Sequence, residues 1–404
     1  MKEKLDIRIY TWFQGGLSWA YVMSRLAQAL EEELNHNVMF ASTNGLGKNQ
    51  DEYLTEERML KSVVDLQKFG PNKKQIFIDL TYTVPQNFPE RFLANSKHKC
   101  AIYNYETTLW QPNWKKYYNL VDFYFPSSNF SAEVFYINGV PAKKIFTIPH
   151  GIDTSVFNSD IPRIKLKTKK KFKFVSVVAP HFRKNIPLLL DAYCQAFTSK
   201  DDVCLVLKTK VCKHSDGMYH IQKNPKGRKA FEIILGDTFK DLYSRYGKNM
   251  PEIELLNGHV KNVASIYNAC DCHITTTGSE GFGLPLAESM ACGLLSIAPN
   301  YSGQLDFMNK DNSLLIKYSM RYAKPEEQYW TFNPKSKISE ADLDHTIELM
   351  RKAYEDYDAL MEKFRPNMKK TVELFSWKRA AQLIIDAVNG DMPHYIPGTY
   401  KLPR

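Results

Sequence analysis

The segment 273–293, rich in glycine and small residues, constrains the fold of this chain more than any other stretch. The β-branched residues 274–277 predict the end of a strand, and residues 278–283 predict a tight loop. Pro285 suits the first position of a helix, where its missing N–H would have no partner anyway, and Gly293 suits the helix stop. The predicted unit is a strand, a glycine loop and a short helix.

This loop has the chemistry of a site for a phosphate flanked by hydroxyl groups. A helix N-terminus offers backbone N–H groups and about half a positive charge, and Gly281 and Gly283 let a ligand approach the backbone. Glu280 and Glu288 would repel a phosphate that they faced directly, but carboxylates accept hydrogen bonds from hydroxyls. A nucleotide-sugar, with a diphosphate between two hydroxylated rings, satisfies both conditions. A simple turn before a helix is the alternative.

Strands and helices alternate through both halves of the chain, which predicts an α/β protein with doubly wound parallel sheets. With 404 residues the chain is long enough for two domains. The first half has predicted strands at 5–10, 37–41, 75–80, 99–104, 121–126 and 145–148, and helices at 17–34, 51–68 and 130–138. The second half has predicted strands at 172–178, 203–208, 253–256 and 295–298, and helices at 186–197, 263–270, 339–363 and after Ser376. Residues 212–230 and 317–337 are predicted to be irregular.

Composition narrows the protein class. Hydrophobic residues make up 44% of the chain, so real cores are expected. The charged N-terminus does not resemble a signal peptide, and no apolar run approaches the ~20 residues of a membrane span. Seven scattered cysteines predict reduced thiols in a cytoplasmic protein. The net charge of +10 favours anionic partners. Part of it is the basic run 163–173, predicted to be an inter-domain connector, with a membrane or polyanion patch as the alternative.

Two further loops carry charged residues at the predicted carboxyl ends of strands, where open α/β sheets place ligands. Glu106 follows the strand 99–104 and is a candidate on the acceptor side. Arg183 and Lys184 follow the strand 172–178. The planar guanidinium of the arginine and the compact ammonium of the lysine both suit a diphosphate.

Glu280 and Glu288, eight residues apart around Gly-Phe-Gly-Leu-Pro-Leu-Ala, resemble the paired-glutamate motif of the retaining glycosyltransferases of family 4. The resemblance implies a GT-B fold, with two Rossmann-like domains facing across a cleft and a last helix that crosses back to the first. It predicts an acceptor-side domain over 1–160 plus 377–404, and a nucleotide-sugar-binding domain over 170–376.

The resemblance also implies roles for single residues. Glu280 would lie near the transferred sugar and Glu288 near the ribose hydroxyls, while a glycine loop at Gly15 and Gly16 would lie against the donor phosphates from the opposite domain. The donor-binding residues implied are Gly15, Gly16, Arg183, Lys184, Val260, Glu280, Gly281, Phe282, Gly283, Leu284 and Glu288.

One branch of that family carries a Glu-Thr pair where this chain has Glu106 and Thr107, and an adjacent Arg-Lys where it has Arg183 and Lys184. Ala179 replaces an upstream arginine that the family usually has. The implied catalytic residues are Glu280, Lys184, Arg183 and Glu106.

The expected activity is transfer of a sugar, with retention, from a UDP- or GDP-linked donor to a hydroxyl of a glycan or lipid-linked acceptor. No metal or other cofactor is expected, because two cations and a helix N-terminus can balance the diphosphate. Contact with an anionic membrane is left open. A nucleotide-sugar epimerase, a DNA-modifying glucosyltransferase and a catalytically silent partner subunit are the alternatives. The absence of an aromatic-interleaved basic stretch argues against DNA, and the intact Glu280–Glu288 pair argues against a silent subunit.

Overall fold

The computed structural model describes residues 4–11, 18–42, 68, 74–209, 232–258, 260, 262–328 and 333–403. The predicted glycine loop with Gly15 and Gly16, nearly all of the predicted helix 51–68 and the loop 212–230 lie outside these residues. The chain divides into two compact units. The first comprises Met1–Tyr105, Leu109–Gly151 and Phe375–Arg404, and the second comprises Glu106–Thr108 and Ile152–Leu374.

The first unit is built on a parallel sheet of five strands in the order β2-β1-β3-β4-β5. The strands are β1 (Asp6–Thr11), β2 (Asn37–Ser42), β3 (Ile78–Tyr82), β4 (His98–Ile102) and β5 (Phe123–Tyr124). Its helices are Ser18–Gln28, continued by a π-helical turn over Ala29–Glu33, then Phe88–Arg91, Asn129–Ile137 and Trp377–Asn389. Every residue of β3 is buried, as expected of a strand covered on both faces. The predicted strand 145–148 is reduced to one bridge between Tyr124 and Ile145.

The C-terminal helix Trp377–Asn389 belongs to the first unit. Ser376 caps its start by accepting a hydrogen bond from the Arg379 N–H. Trp377 packs so closely on Gly151 that a Cβ there would lie 2.3 Å from the Trp377 nitrogen. The Trp377 ring also meets Tyr21 at a centroid distance of 5.8 Å. These contacts pack the start of the C-terminal helix against Gly151 and the first helix of the chain.

The second unit is built on a parallel sheet of six strands in the order β11-β10-β9-β6-β7-β8. The strands are β6 (Phe172–Val177), β7 (Val203–Thr209), β8 (Glu252–Asn257), β9 (Cys272–Ile274), β10 (Leu295–Pro299) and β11 (Leu314–Ile316). Its helices are Ile186–Ala196, Thr238–Tyr246, Ala264–Tyr267, Leu284–Ala291, Pro325–Gln328, Leu343–Glu355 and Tyr357–Glu373. In the described part of the chain no helix is long and apolar enough to cross a membrane.

The prediction of irregular structure over 317–337 is wrong for much of that stretch. An antiparallel ribbon pairs β12 (Tyr318–Tyr322) with β13 (Lys337–Ala341). The predicted helix 339–363 accordingly begins later, at Leu343, and is two helices. The ribbon is held by a residue distant in sequence. The Ser339 N–H and hydroxyl both donate to the Gly278 carbonyl oxygen, at 3.1 and 2.7 Å. A contact of this kind leaves no periodic trace in the sequence.

Candidate active site

The glycine loop follows β9 as predicted, but the strand ends at Ile274 and the threonines after it form the approach to the loop. The Thr276 hydroxyl donates to the Asn185 carbonyl oxygen at 2.9 Å, and the Thr277 hydroxyl donates to that of Ser279 at 3.0 Å. Thr276 thus ties the approach to the neighbouring loop, and Thr277 braces the glycine loop from within.

The helix after the loop begins at Leu284, one residue before the predicted start at Pro285. Gly283 is the N-cap, with a φ of +97° that favours glycine. Because Gly283 makes the turn, Leu284 can already take helical geometry, although a following proline disfavours it. The helix ends as predicted, with Gly293 at a φ of +85°.

A second loop, 300–306, braces the glycine loop. The Gly303 N–H donates to the Glu280 carbonyl oxygen at 2.9 Å, and the Glu280 N–H donates to the Ser302 hydroxyl at 2.8 Å. A Cβ on Gly303 would lie 2.2 Å from the Gly281 carbonyl oxygen, so a larger residue would displace the loop backbone. Ser302 and Gly303 are therefore site residues that the sequence analysis missed.

Arg183 lies in a short 3₁₀ turn in the loop after β6, and its side chain is buried. It contacts Glu106 at 3.0 Å and the Thr277 hydroxyl at 3.4 Å, and it donates to the Ser279 carbonyl oxygen. The turn is capped by His181, whose Nδ1 accepts from the Arg183 N–H at 3.1 Å. Burial, with the two adjacent cations, lowers the pKa of His181 well below its usual value, so the ring stays a neutral acceptor.

Lys184 pairs with Glu280, with 2.5 Å between Nζ and Oε1, and Arg183 Nη1 lies 3.7 Å from the other carboxylate oxygen. The Lys184 and Glu280 side chains are 18% and 12% exposed. Burial would raise the pKa of Glu280, but the two cations outweigh it and hold this pKa below its usual value. The pKa of Lys184 is lowered by burial and by Arg183, against the opposing effect of Glu280. We call Arg183, Lys184, Glu106 and Glu280 the charge cluster.

Glu106 joins this cluster through the ribbon. The Lys337 N–H donates to the Thr108 hydroxyl at 2.8 Å, and the Thr108 N–H donates to the Lys337 carbonyl oxygen at 3.2 Å. The segment Glu106–Thr108 thereby belongs to the second unit, although it follows a strand of the first. The sequence placed Glu106 at a strand end but gave no sign of its partner.

Glu288 lies on the helix Leu284–Ala291 and accepts a hydrogen bond from the Tyr267 hydroxyl at 3.3 Å. Burial raises the pKa of Glu288 to about 7, although the bond from Tyr267 opposes this. The hydroxyl of the next residue, Ser289, lies 2.7 Å from Nδ1 of His273, which anchors the helix to β9. Gly281 and Phe282 are buried in the glycine loop, and half-buried Val260 follows β8.

Two Asp-x-Asp pairs occur in the sequence, and both lie at helix starts. Asp342 caps the helix Leu343–Glu355 by accepting from the His345 N–H, and Asp356 precedes the helix Tyr357–Glu373. Among the described residues, no group of three or more histidine, cysteine or acidic side chains is arranged to hold a metal ion.

Comparison with known proteins relates part of the chain to one family. Residues 227–321 match the model of the glycosyl transferases group 1. A probable sucrose-phosphate synthase of Thermosipho melanesiensis is 24% identical over 61% of this chain, which spans only 47% of that relative's length. An uncharacterized glycosyltransferase of Sulfolobus islandicus rod-shaped virus 1 is 24% identical over 72% of this chain and 81% of its own.

Solved structures establish the fold. The crystal structure of Anabaena HepE in complex with UDP and glucose has a TM-score of 0.63 at 14% identity, covering 95% of this chain and 99% of that one. With the two parallel-sheet units, this likeness confirms the predicted GT-B fold.

Proposed function

We propose that this chain is a retaining glycosyltransferase of family 4, which moves a hexose from a UDP- or GDP-linked donor to an acceptor hydroxyl on a glycan or lipid-linked saccharide. The charge cluster carries the proposal. Arg183 and Lys184 come from one βα loop, and Glu280 comes from the glycine loop that opens the helix Leu284–Ala291. Cations beside a helix N-terminus suit a diphosphate, and a carboxylate beside them suits sugar hydroxyls.

The ion pairs suggest how the donor would enter. In the free protein, Glu106 forms an ion pair with Arg183 and Glu280 forms one with Lys184. A diphosphate would take over Arg183 and Lys184, which frees Glu280 to accept hydrogen bonds from the transferred sugar. As the sugar leaves, negative charge grows on the nucleotide, and preorganised cations stabilise that charge. Retention follows from the family resemblance, with the departing phosphate assisting attack by the acceptor. The UDP and glucose bound to HepE support a UDP-hexose donor.

A donor screen tests the proposal. We expect one nucleotide-sugar to raise the thermal unfolding midpoint more than its free sugar does, and slow hydrolysis of that donor to release the nucleotide. Failure of every UDP- and GDP-sugar to stabilise the protein would contradict the proposal. Release of an epimerised sugar at full rate without acceptor would identify an epimerase instead.

Glu288 should make donor binding depend on pH. Its pKa lies at about 7, and two ribose hydroxyls are best accepted by the ionised form. Donor affinity should therefore rise with pH, being up to about tenfold weaker at about pH 6 than at about pH 8. Calorimetric titration with a nucleotide-sugar, whose diphosphate stays ionised throughout, measures this.

The variant Glu288→Gln is the control for this pH effect. It should bind the donor weakly, and its donor affinity should not change with pH. The stability of the free protein should change in the opposite direction. Because burial raises the pKa of Glu288 in the folded protein, its contribution to stability is full below the ordinary pKa of 4.5 and declines as the pH rises to about 7. A flat affinity profile in the unaltered protein would contradict the role of Glu288.

Activity should survive an excess of chelator. Arg183, Lys184 and the helix N-terminus supply the positive charge that a metal would otherwise bring to the diphosphate. Steady-state rates with and without chelator measure this. Complete loss of activity, restored by magnesium or manganese, would show that a divalent ion is required.

A further inference from the structure

A row of exposed cations precedes β6 on the second unit. We call residues 163–171 the basic strap. Exposure alternates along it, with half-buried Ile164 and Leu166 and buried Thr168 between exposed basic residues. The exposed basic residues are Arg163, Lys165, Lys167, Lys169 and Lys171. Among the described residues, none of these five side chains lies within ion-pair distance of a carboxylate.

Acidic side chains hold the backbone of the strap, and the charge of Arg163 also acts on Asp271. Glu254 accepts hydrogen bonds from the N–H groups of Lys167 and Thr168, at 3.0 and 2.9 Å. Asp202 accepts from the Lys171 N–H at 2.9 Å. The strap is thus an ordered part of the second unit and not merely a solvated connector.

The strap is separate from the proposed donor site. Its C-terminal end leads directly into β6, and Asp202 comes immediately before β7, so this end lies at the amino edge of the sheet. Arg183 and Lys184 follow the carboxyl end of β6. The strand has six residues, which places the two edges about 20 Å apart at about 3.3 Å per residue. The strap cations are therefore placed away from the proposed diphosphate site.

We propose that the basic strap binds the surface of an anionic lipid bilayer. Four of its five exposed cations are lysines, point charges that suit a diffuse layer of headgroups better than the bidentate contacts of arginine. Ile164 and Leu166 alternate with them and are half-buried. No aromatic side chain lies within the strap for stacking on bases, which disfavours single-stranded nucleic acid.

Vesicle flotation of the full chain tests this proposal. The protein should float with vesicles of equal parts phosphatidylcholine and phosphatidylglycerol but not with phosphatidylcholine alone, and high salt should release it. The triple variant Lys165→Gln, Lys167→Gln, Lys169→Gln keeps the backbone hydrogen bonds to Glu254. It should bind about a hundredfold more weakly, at about fivefold for each lysine.

A control variant removes the same charge from exposed lysines elsewhere on the second unit, namely Lys240→Gln, Lys310→Gln and Lys370→Gln. It should bind anionic vesicles as the unaltered protein does, and both variants should keep their turnover on a soluble acceptor. Failure of the unaltered protein to bind, or equal losses in both variants, would overturn the proposal. Strap-dependent retardation of duplex DNA without vesicle binding would identify a nucleic-acid partner instead.

Discussion

Replacing Lys184 with alanine should lower turnover by about a hundredfold or more, the effect of removing one preorganised donor to developing charge. Lys184 is mostly buried and held against Glu280, so its ammonium is fixed before the donor arrives. Ala179 stands where the resembled family usually has an arginine, which leaves Arg183 as the neighbouring cation. Steady-state kinetics with a saturating donor measure the loss.

Folding must be controlled in this variant, because it leaves Glu280 with a weaker partner. A loss of about 1–3 kcal/mol in the free energy of unfolding is expected when a buried charged group loses a hydrogen-bond partner. Lys248→Ala, at an exposed position of the same unit, is the matched control and should change neither stability nor rate. Unchanged turnover in a folded Lys184→Ala protein would place the diphosphate elsewhere.

Replacing Glu280 with glutamine should also lower turnover by about a hundredfold, but it should not weaken donor binding. The amide keeps the shape of the side chain and loses the charge that we propose contacts the reacting sugar. Because that charge also neutralises Lys184 and repels phosphate, its loss should leave donor affinity unchanged or improved. The expected signature is a lower kcat without a higher donor Kd, measured by kinetics and calorimetry on one preparation.

Acid stability provides a second readout for this substitution. The lowered pKa of Glu280 stabilises the fold above the unfolded pKa, and this stability disappears as the pH falls through the folded value. Glu280→Gln should lack this component, whereas Glu348→Gln, at an exposed position, should retain it. Near-full activity in folded Glu280→Gln would remove Glu280 from the reaction.

The charge cluster could largely be predicted because the fold rule behind it is general. Arg183 and Lys184 follow one parallel strand and Glu280 follows another, and the carboxyl ends of parallel strands meet at one edge of the sheet. In the structure those strands, β6 and β9, are direct neighbours, with Phe174 opposite Cys272. The prediction that these residues lie at one edge of the sheet requires only that the strands are parallel, and it does not require their order.

The supports of the cluster could not be predicted. The Ser339–Gly278 contact joins residues 61 positions apart, and Gly303 fits against Gly281 through the absence of a Cβ. Glu106 reaches Arg183 because Thr108 pairs with Lys337, 229 positions away. Such contacts depend on how distant segments pack, and periodicity and turn residues carry no information about that.

Titration of UDP and GDP into the unaltered protein and into Arg183→Ala tests the central claim most directly. Arg183 contacts both carboxylates of the charge cluster, so its loss should remove a principal diphosphate partner. We expect one nucleotide to bind the unaltered protein at one site, and to bind folded Arg183→Ala at least about tenfold more weakly, as for the loss of a charged hydrogen bond. Equal affinity in both proteins, or no binding of either nucleotide to the unaltered protein, would contradict a nucleotide-sugar site at this cluster.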